Sequence, residues 1–163
     1  MSLSCHKIVR KMKKILEILL CCLLAFSIPT YAAYAAVGQP VTDKGYQVTV
    51  NKVESAHSYD YYDAPSGSKL VSLDVTIASV ADSKVDVNPF YATLKTTDGF
   101  VYNLTFFGKE PQLPAKNDLS KGDLTRGWVT FEVPDETEDF IFEYEPVTFF
   151  SKAPVLRISL KTP

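Results

Sequence analysis

The chain has 163 residues, of which 46% are hydrophobic and 22% charged, with 7 Gly, 10 Pro, 3 Cys and a formal net charge of −2. That length is about one domain's worth. The composition excludes disorder, which needs fewer apolar residues, and collagen-like arrays, which need a glycine period. A net charge so near zero supplies no whole-molecule field for nucleic acid.

Residues 1–35 read as a secretory signal peptide. Lys7, Arg10, Lys11, Lys13 and Lys14 form a basic region, Ile18 to Ile28 an apolar run, and Ala33-Tyr34-Ala35 a small-residue processing site. Cleavage is expected after Ala35, with Ala32 or Ala33 as alternatives, and Met12, just before Lys13-Lys14, is an alternative start. The uncharged stretch from Ile18 to Val37 is 20 residues long, enough to span a bilayer as an uncleaved anchor. Pro29, the Ala-rich end and the lack of a basic flank favour cleavage, so a membrane enters only through a retained leader. Leu20 precedes Cys21, and Leu23-Leu24 continue the apolar run past it, so a lipid-modified cysteine is not expected.

Removing the leader changes the arithmetic. Cys5, Cys21, Cys22 and His6 all leave with it, so residues 36–163 carry 12 basic against 18 acidic groups, net −6, with His57 as the one histidine. A secreted domain without cysteine has no disulfide and must be held by apolar burial.

Along that domain the dominant signal is alternation of apolar and polar residues. Tyr46, Val48 and Val50 open it, and Val71, Leu73, Val75 and Ile77 follow. Phe90, Ala92 and Leu94 lead into Asp98-Gly99, and Phe100, Tyr102, Leu104 and Phe106 lead out, the pattern of a hairpin. Val129, Phe131 and Val133 run up to Pro134, then come Phe140, Phe142 and Tyr144, and last Leu156, Ile158 and Leu160. About seven one-sided strands joined by turn residues predict an all-β chain folded as one immunoglobulin-like antiparallel β-sandwich over residues 36–163. The longest polar connection, Gly108 to Asp123, is expected at one end of the sandwich.

The order and spacing of several segments resemble a known family. They are Gly-Gln-Pro-Val (38–41), the 46–53 and 69–77 strands, Asn-Pro-Phe (88–90) ahead of Leu94 and Asp98-Gly99, Leu-Ser-Lys-Gly-Asp (119–123), the segment 127–134, and Phe-Glu-Tyr-Glu-Pro (142–146). Together they are similar to the secreted, telokin-like or immunoprotective extracellular immunoglobulin-like domains of bacteria and archaea, a family of unknown function. The resemblance covers roughly residues 38–160 and implies an immunoglobulin-like sandwich outside the cell. Many members are lipoproteins, and this chain departs from that pattern. No catalytic or binding residues follow from the likeness.

The residues narrow the chemistry further. Without cysteine there is no thiol nucleophile. His57 is the single candidate base for a serine nucleophile, no Gly-x-Ser-x-Gly elbow accompanies it, and one histidine without cysteine makes a poor zinc site. No phosphate loop occurs, and no cofactor is expected. Tyr59, Asp60, Tyr61, Tyr62 and Asp63 form the candidate binding loop, because tyrosines in a polar loop offer flat amphipathic contact area at low entropy cost. The competing reading has those tyrosines capping the end of the sandwich. Asp60 and Asp63 alone are too few for a calcium loop. Trp128 is out of phase with Val129 and Phe131, which makes it either an exposed contact residue or one covered by a second layer or a Gly127 bulge. Asn103-Leu104-Thr105 is a candidate glycosylation sequon. The resulting expectation is an exported, non-enzymatic module contacting an extracellular protein or small ligand. A carboxylate-dependent extracellular hydrolase and a structural subunit of the cell envelope are the alternatives.

Overall fold

The computed structural model describes residues 34–147 and 155–161. The leader therefore lies outside the described residues, except for Tyr34 and Ala35. Two four-stranded antiparallel sheets carry the fold. The first runs in the order β1 (Val41–Asp43), β2 (Tyr46–Ala56), β5 (Ser68–Ser79), β10 (Leu124–Pro134). The second runs β12 (Leu156–Lys161), β11 (Asp139–Tyr144), β7 (Ala92–Thr96), β8 (Val101–Asn103). A small hairpin, β3 (Ser58–Tyr59) with β4 (Tyr62–Asp63), and a second pair, β6 (Val85–Val87) with β9 (Lys116–Leu119), complete it. Seven of the eight strands in the two main sheets, β2, β5, β7, β8, β10, β11 and β12, divide between them as in an immunoglobulin-type sandwich whose fourth strand lies beside the third.

Alternation explains the core. Val48 and Val50, Val71 to Ile77, Val129 to Val133, Phe140 to Tyr144 and Leu156 to Leu160 each send every second side chain inward, where all are buried. The Asp98-Gly99 turn is present, but as a three-residue loop: Gly99 adopts φ 98° and the Thr96 amide donates to the Phe100 carbonyl at 2.9 Å.

Three expectations change. The strand read through Phe106 stops at Asn103, because Leu104 leaves β7 and pairs with Phe131 of β10. Phe100 and Phe106 are consequently exposed, and Phe90 sits outside a strand in a 3-10 turn, Pro89–Tyr91. The connection 108–123 runs beside β10 and then forms β9, so it is not simply an end loop.

Two of the outward residues of β5, Ser72 and Asp74, are also buried. Ser72 meets Thr130 through hydroxyls 2.9 Å apart, and Asp74 accepts from Arg126 Nε at 2.9 Å. A bulge in β2 between Val50 and Lys52 turns the Asn51 amide toward Thr76 at 2.9 Å. On the second sheet Glu143 is 2% exposed and accepts from Arg157 Nε at 2.6 Å and from Lys95. Burial alone would raise its carboxyl, and the two cations outweigh that and hold it below the ordinary range.

Candidate functional site

The loop from Leu104 to Leu113 lies along β10 and over its outer face. Main-chain bonds fix it at three places: Thr105 N donates to Thr130 O, Trp128 N to Pro111 O, and Leu113 N to Trp128 O, each at 2.9 Å. Two glycines allow so close an approach. A Cβ on Gly127 would stand 2.5 Å from the Leu113 backbone, and one on Gly108 would stand 2.2 Å from Thr130 Oγ1. Lys109 then crosses the face: its Nζ sits 4.2 Å from the Trp128 ring centre and reaches the Glu54 carboxylate on β2. Trp128 is half-buried beneath this layer, and the unbroken β10–β5 register at Gly127 shows no bulge. Of the two readings of Trp128, the second layer describes its surroundings.

The β3–β4 hairpin meets the same loop. Tyr59 pairs with Tyr62 across a two-residue turn, and Asp60 takes φ 43°, a left-handed value that Asp tolerates better than bulkier residues. Tyr62 donates its hydroxyl to Glu132 Oε2 at 2.7 Å and stacks on Phe107 with ring centres 5.2 Å apart. The Glu132 carboxylate in turn raises the Tyr62 phenol above its usual range. Tyr59 is half-buried, and its hydroxyl is enclosed with no hydrogen-bond partner among the described residues.

The tyrosines therefore divide. Tyr59 and Tyr62 pack, whereas Tyr61 is 102% exposed. Phe106 at 73% and Phe107 at 59% line the same depression as Tyr61, and Phe90 at 56% lies against Phe106, so large rings that could have been buried are presented to solvent. That depression, of about 170 Å³, lies between hairpin and loop, walled by the three tyrosines, Phe106 and Phe107 and edged by Asp60 and Glu110. A second of about 120 Å³ lies under the loop between Phe90, Phe106, Leu113 and Trp128. Phe106, Phe107 and Phe90 were missed as surface residues from sequence. For Phe106 the alternation simply continues past the end of β8, and nothing local marks Phe107.

The other expected residues lie apart or play local roles. Asp63 is exposed at the hairpin's end, paired with Ser58 through the backbone. Asn103 is exposed on the edge strand β8. His57 faces Asp135 at 3.0 Å on the surface. Asp98, Glu136, Glu138 and Asp139 line a separate open depression of about 560 Å³. Among the described residues no group of three His, Cys, Asp or Glu is arranged to hold a metal ion.

Solved structures share this fold at low identity. The yjhA protein of Bacillus subtilis superposes with a TM-score of 0.63 at 14% identity, covering 79% of this chain and 99% of that one. MPT63, a secreted protein of Mycobacterium tuberculosis, gives 0.56 at 15% identity over 81% of this chain and 98% of its own. The ycdA protein of Bacillus subtilis, a candidate lipoprotein, gives 0.62 at 14% identity over 75% of this chain, which spans 38% of that longer one. These likenesses carry the sandwich and nothing finer. No curated protein matches the sequence. The model of a domain of unknown function, DUF4352, matches residues 35–155, most of the chain and every strand but β12; the chain belongs to the DUF4352 family.

Proposed function

We propose that the chain is exported and that its mature domain is a non-enzymatic contact module, engaging an extracellular partner through the aromatic surface of the β3–β4 hairpin and the 104–113 loop. One observation carries this reading: Tyr61, Phe106 and Phe107 are exposed while the segments that bear them are anchored by main-chain bonds, the Tyr62–Glu132 bond and the Lys109–Glu54 pair. Exposed rings on a rigid frame bind without a large ordering cost. Export is supported by the leader, by the secreted nature of MPT63, and by the likeness to the telokin-like extracellular domains. Ala35 bridges to Ile158 and packs against the core, which favours processing after Ala32 or Ala33.

The test is binding to cell-envelope fractions of the producing organism by the protein and by a Tyr61→Ser/Phe106→Ser variant. The variant is expected to keep its fold and lose retention. Equal retention of both proteins would refute the reading.

A further inference from the structure

The depression between hairpin and loop has a definite chemical character. Its walls are five aromatic rings, and its charged groups are the carboxylates of Asp60 and Glu110. Lys109, in sequence between the lining residues Gly108 and Glu110, is engaged by Glu54 and by the Trp128 ring and does not line it. Two of its donors are already engaged. The Gln112 amide nitrogen donates to the Phe106 carbonyl at 3.2 Å, and the Tyr62 hydroxyl donates to Glu132. Glu110 accepts from the Gln112 backbone at 2.9 Å and keeps its second oxygen for another donor.

Such a site joins aromatic rings to two carboxylates and holds no cationic side chain in its lining, so it suits a cation and disfavours an anion. Ring faces attract a cation within about 6 Å of their centres, most strongly where several converge and water is displaced. The depression, about 170 Å³, is close to the ~150 Å³ cavity that accommodates benzene. An alkylammonium head of four or so heavy atoms therefore fits its volume.

We propose that this aromatic pocket is a binding site for an alkylammonium group, with Tyr61, Phe106 and the stacked Tyr62–Phe107 pair lining it and Asp60 and Glu110 at its edge. The proposal rests on the contact reading above and names the chemistry that the contact surface takes. Both a quaternary head group and a lysine-type side chain carry this group.

The experiment is calorimetric titration of the full chain with choline, with Nα-acetyl-lysine methylamide, and with 3,3-dimethylbutanol, the uncharged isostere of choline. Saturable binding is expected for at least one ammonium probe, with the neutral isostere at least about tenfold weaker. Dominance of choline identifies a quaternary source, and dominance of the lysine amide a primary one. Asp60→Asn keeps a residue suited to the left-handed turn and removes a charge, and Glu110→Gln does the same at the loop. Their combination is expected to weaken the ammonium probe about tenfold without shifting the unfolding midpoint, and Tyr61→Ala to weaken it about threefold. Equal affinity for the isostere, or no binding of either ammonium probe, overturns the cation assignment. Envelope retention that still depends on Tyr61 and Phe106 would then leave the contact reading standing.

Discussion

Gly127→Ala probes the closest backbone approach in the molecule. The new methyl carbon would lie 2.5 Å from the Leu113 N and Cα and 2.6 Å from the Gln112 carbonyl carbon. Carbon atoms prefer roughly 3.5–4.0 Å, so the 112–113 segment must retreat by about 1 Å. Its two bonds to Trp128, both 2.9 Å, would then exceed the roughly 3.2 Å limit of a useful N–H···O bond. Two lost bonds at about 1 kcal/mol each and about 1–3 kcal/mol of overpacking outweigh the 0.4–1 kcal/mol that Ala gains through the unfolded chain. The net expectation is about 2–4 kcal/mol of destabilisation, read from urea unfolding followed by Trp128 fluorescence. The same loop carries Phe106, Phe107 and Glu110, so envelope retention should fall even where the variant stays folded. A change below about 0.5 kcal/mol would refute the claim that this approach holds the loop.

Other consequences follow from individual groups. Tyr59→Phe removes an enclosed hydroxyl that has no partner, so thermal unfolding should show unchanged stability or a gain of about 1 kcal/mol; a loss of that size would mean the hydroxyl is satisfied. Asp74 and Glu143 are both held below their ordinary values, the first by Arg126 and the second by Lys95 and Arg157 against burial. Their stabilisation is therefore complete above the ordinary values of 3.8 and 4.5 and is lost as pH falls through the lower folded-state values. Glu143→Gln should cost about 2 kcal/mol at pH 7, less than a fully buried pair because Lys95 and Arg157 keep contact with water. Urea midpoints should show that gap closing as pH falls below 4.5, and a pH-independent gap would mean packing rather than charge. Lys109→Ala removes both the stem over Trp128 and the pair with Glu54; Trp128 emission is expected to shift to longer wavelength, and an unchanged spectrum would place the shielding elsewhere.

Much of the sandwich is legible because alternation is a direct consequence of pleated strands with one wet face. The first half of β2, β7 and β12 follow that rule. It misleads where coverage comes from distant sequence. Ser72 and Asp74 read as surface residues, yet both are buried, under Thr130 and Arg126 respectively, once the 104–113 loop and β10 lie beside them. Phe100 and Phe106 read as inward because the pattern gives no sign that Leu104 switches sheets. For the site, residue type singles out the Tyr59–Asp63 segment as a loop, and the structure adds the division between packed Tyr62 and free-standing Tyr61. The phenylalanines opposite it come from tertiary pairing, for which no local signal exists. Gly108 and Gly127 are similar: their importance lies in what a Cβ would strike, which is known only once the loop is in place.

The contact surface is tested most directly by measuring unfolding free energy and envelope retention together on Tyr61→Ser/Phe106→Ser. Both side chains are mostly in water, so the expected stability change is within about 0.5 kcal/mol of the parent, with retention abolished. A loss of more than about 2 kcal/mol would assign the rings to the core, and unchanged stability with unchanged retention would remove this surface from the protein's function.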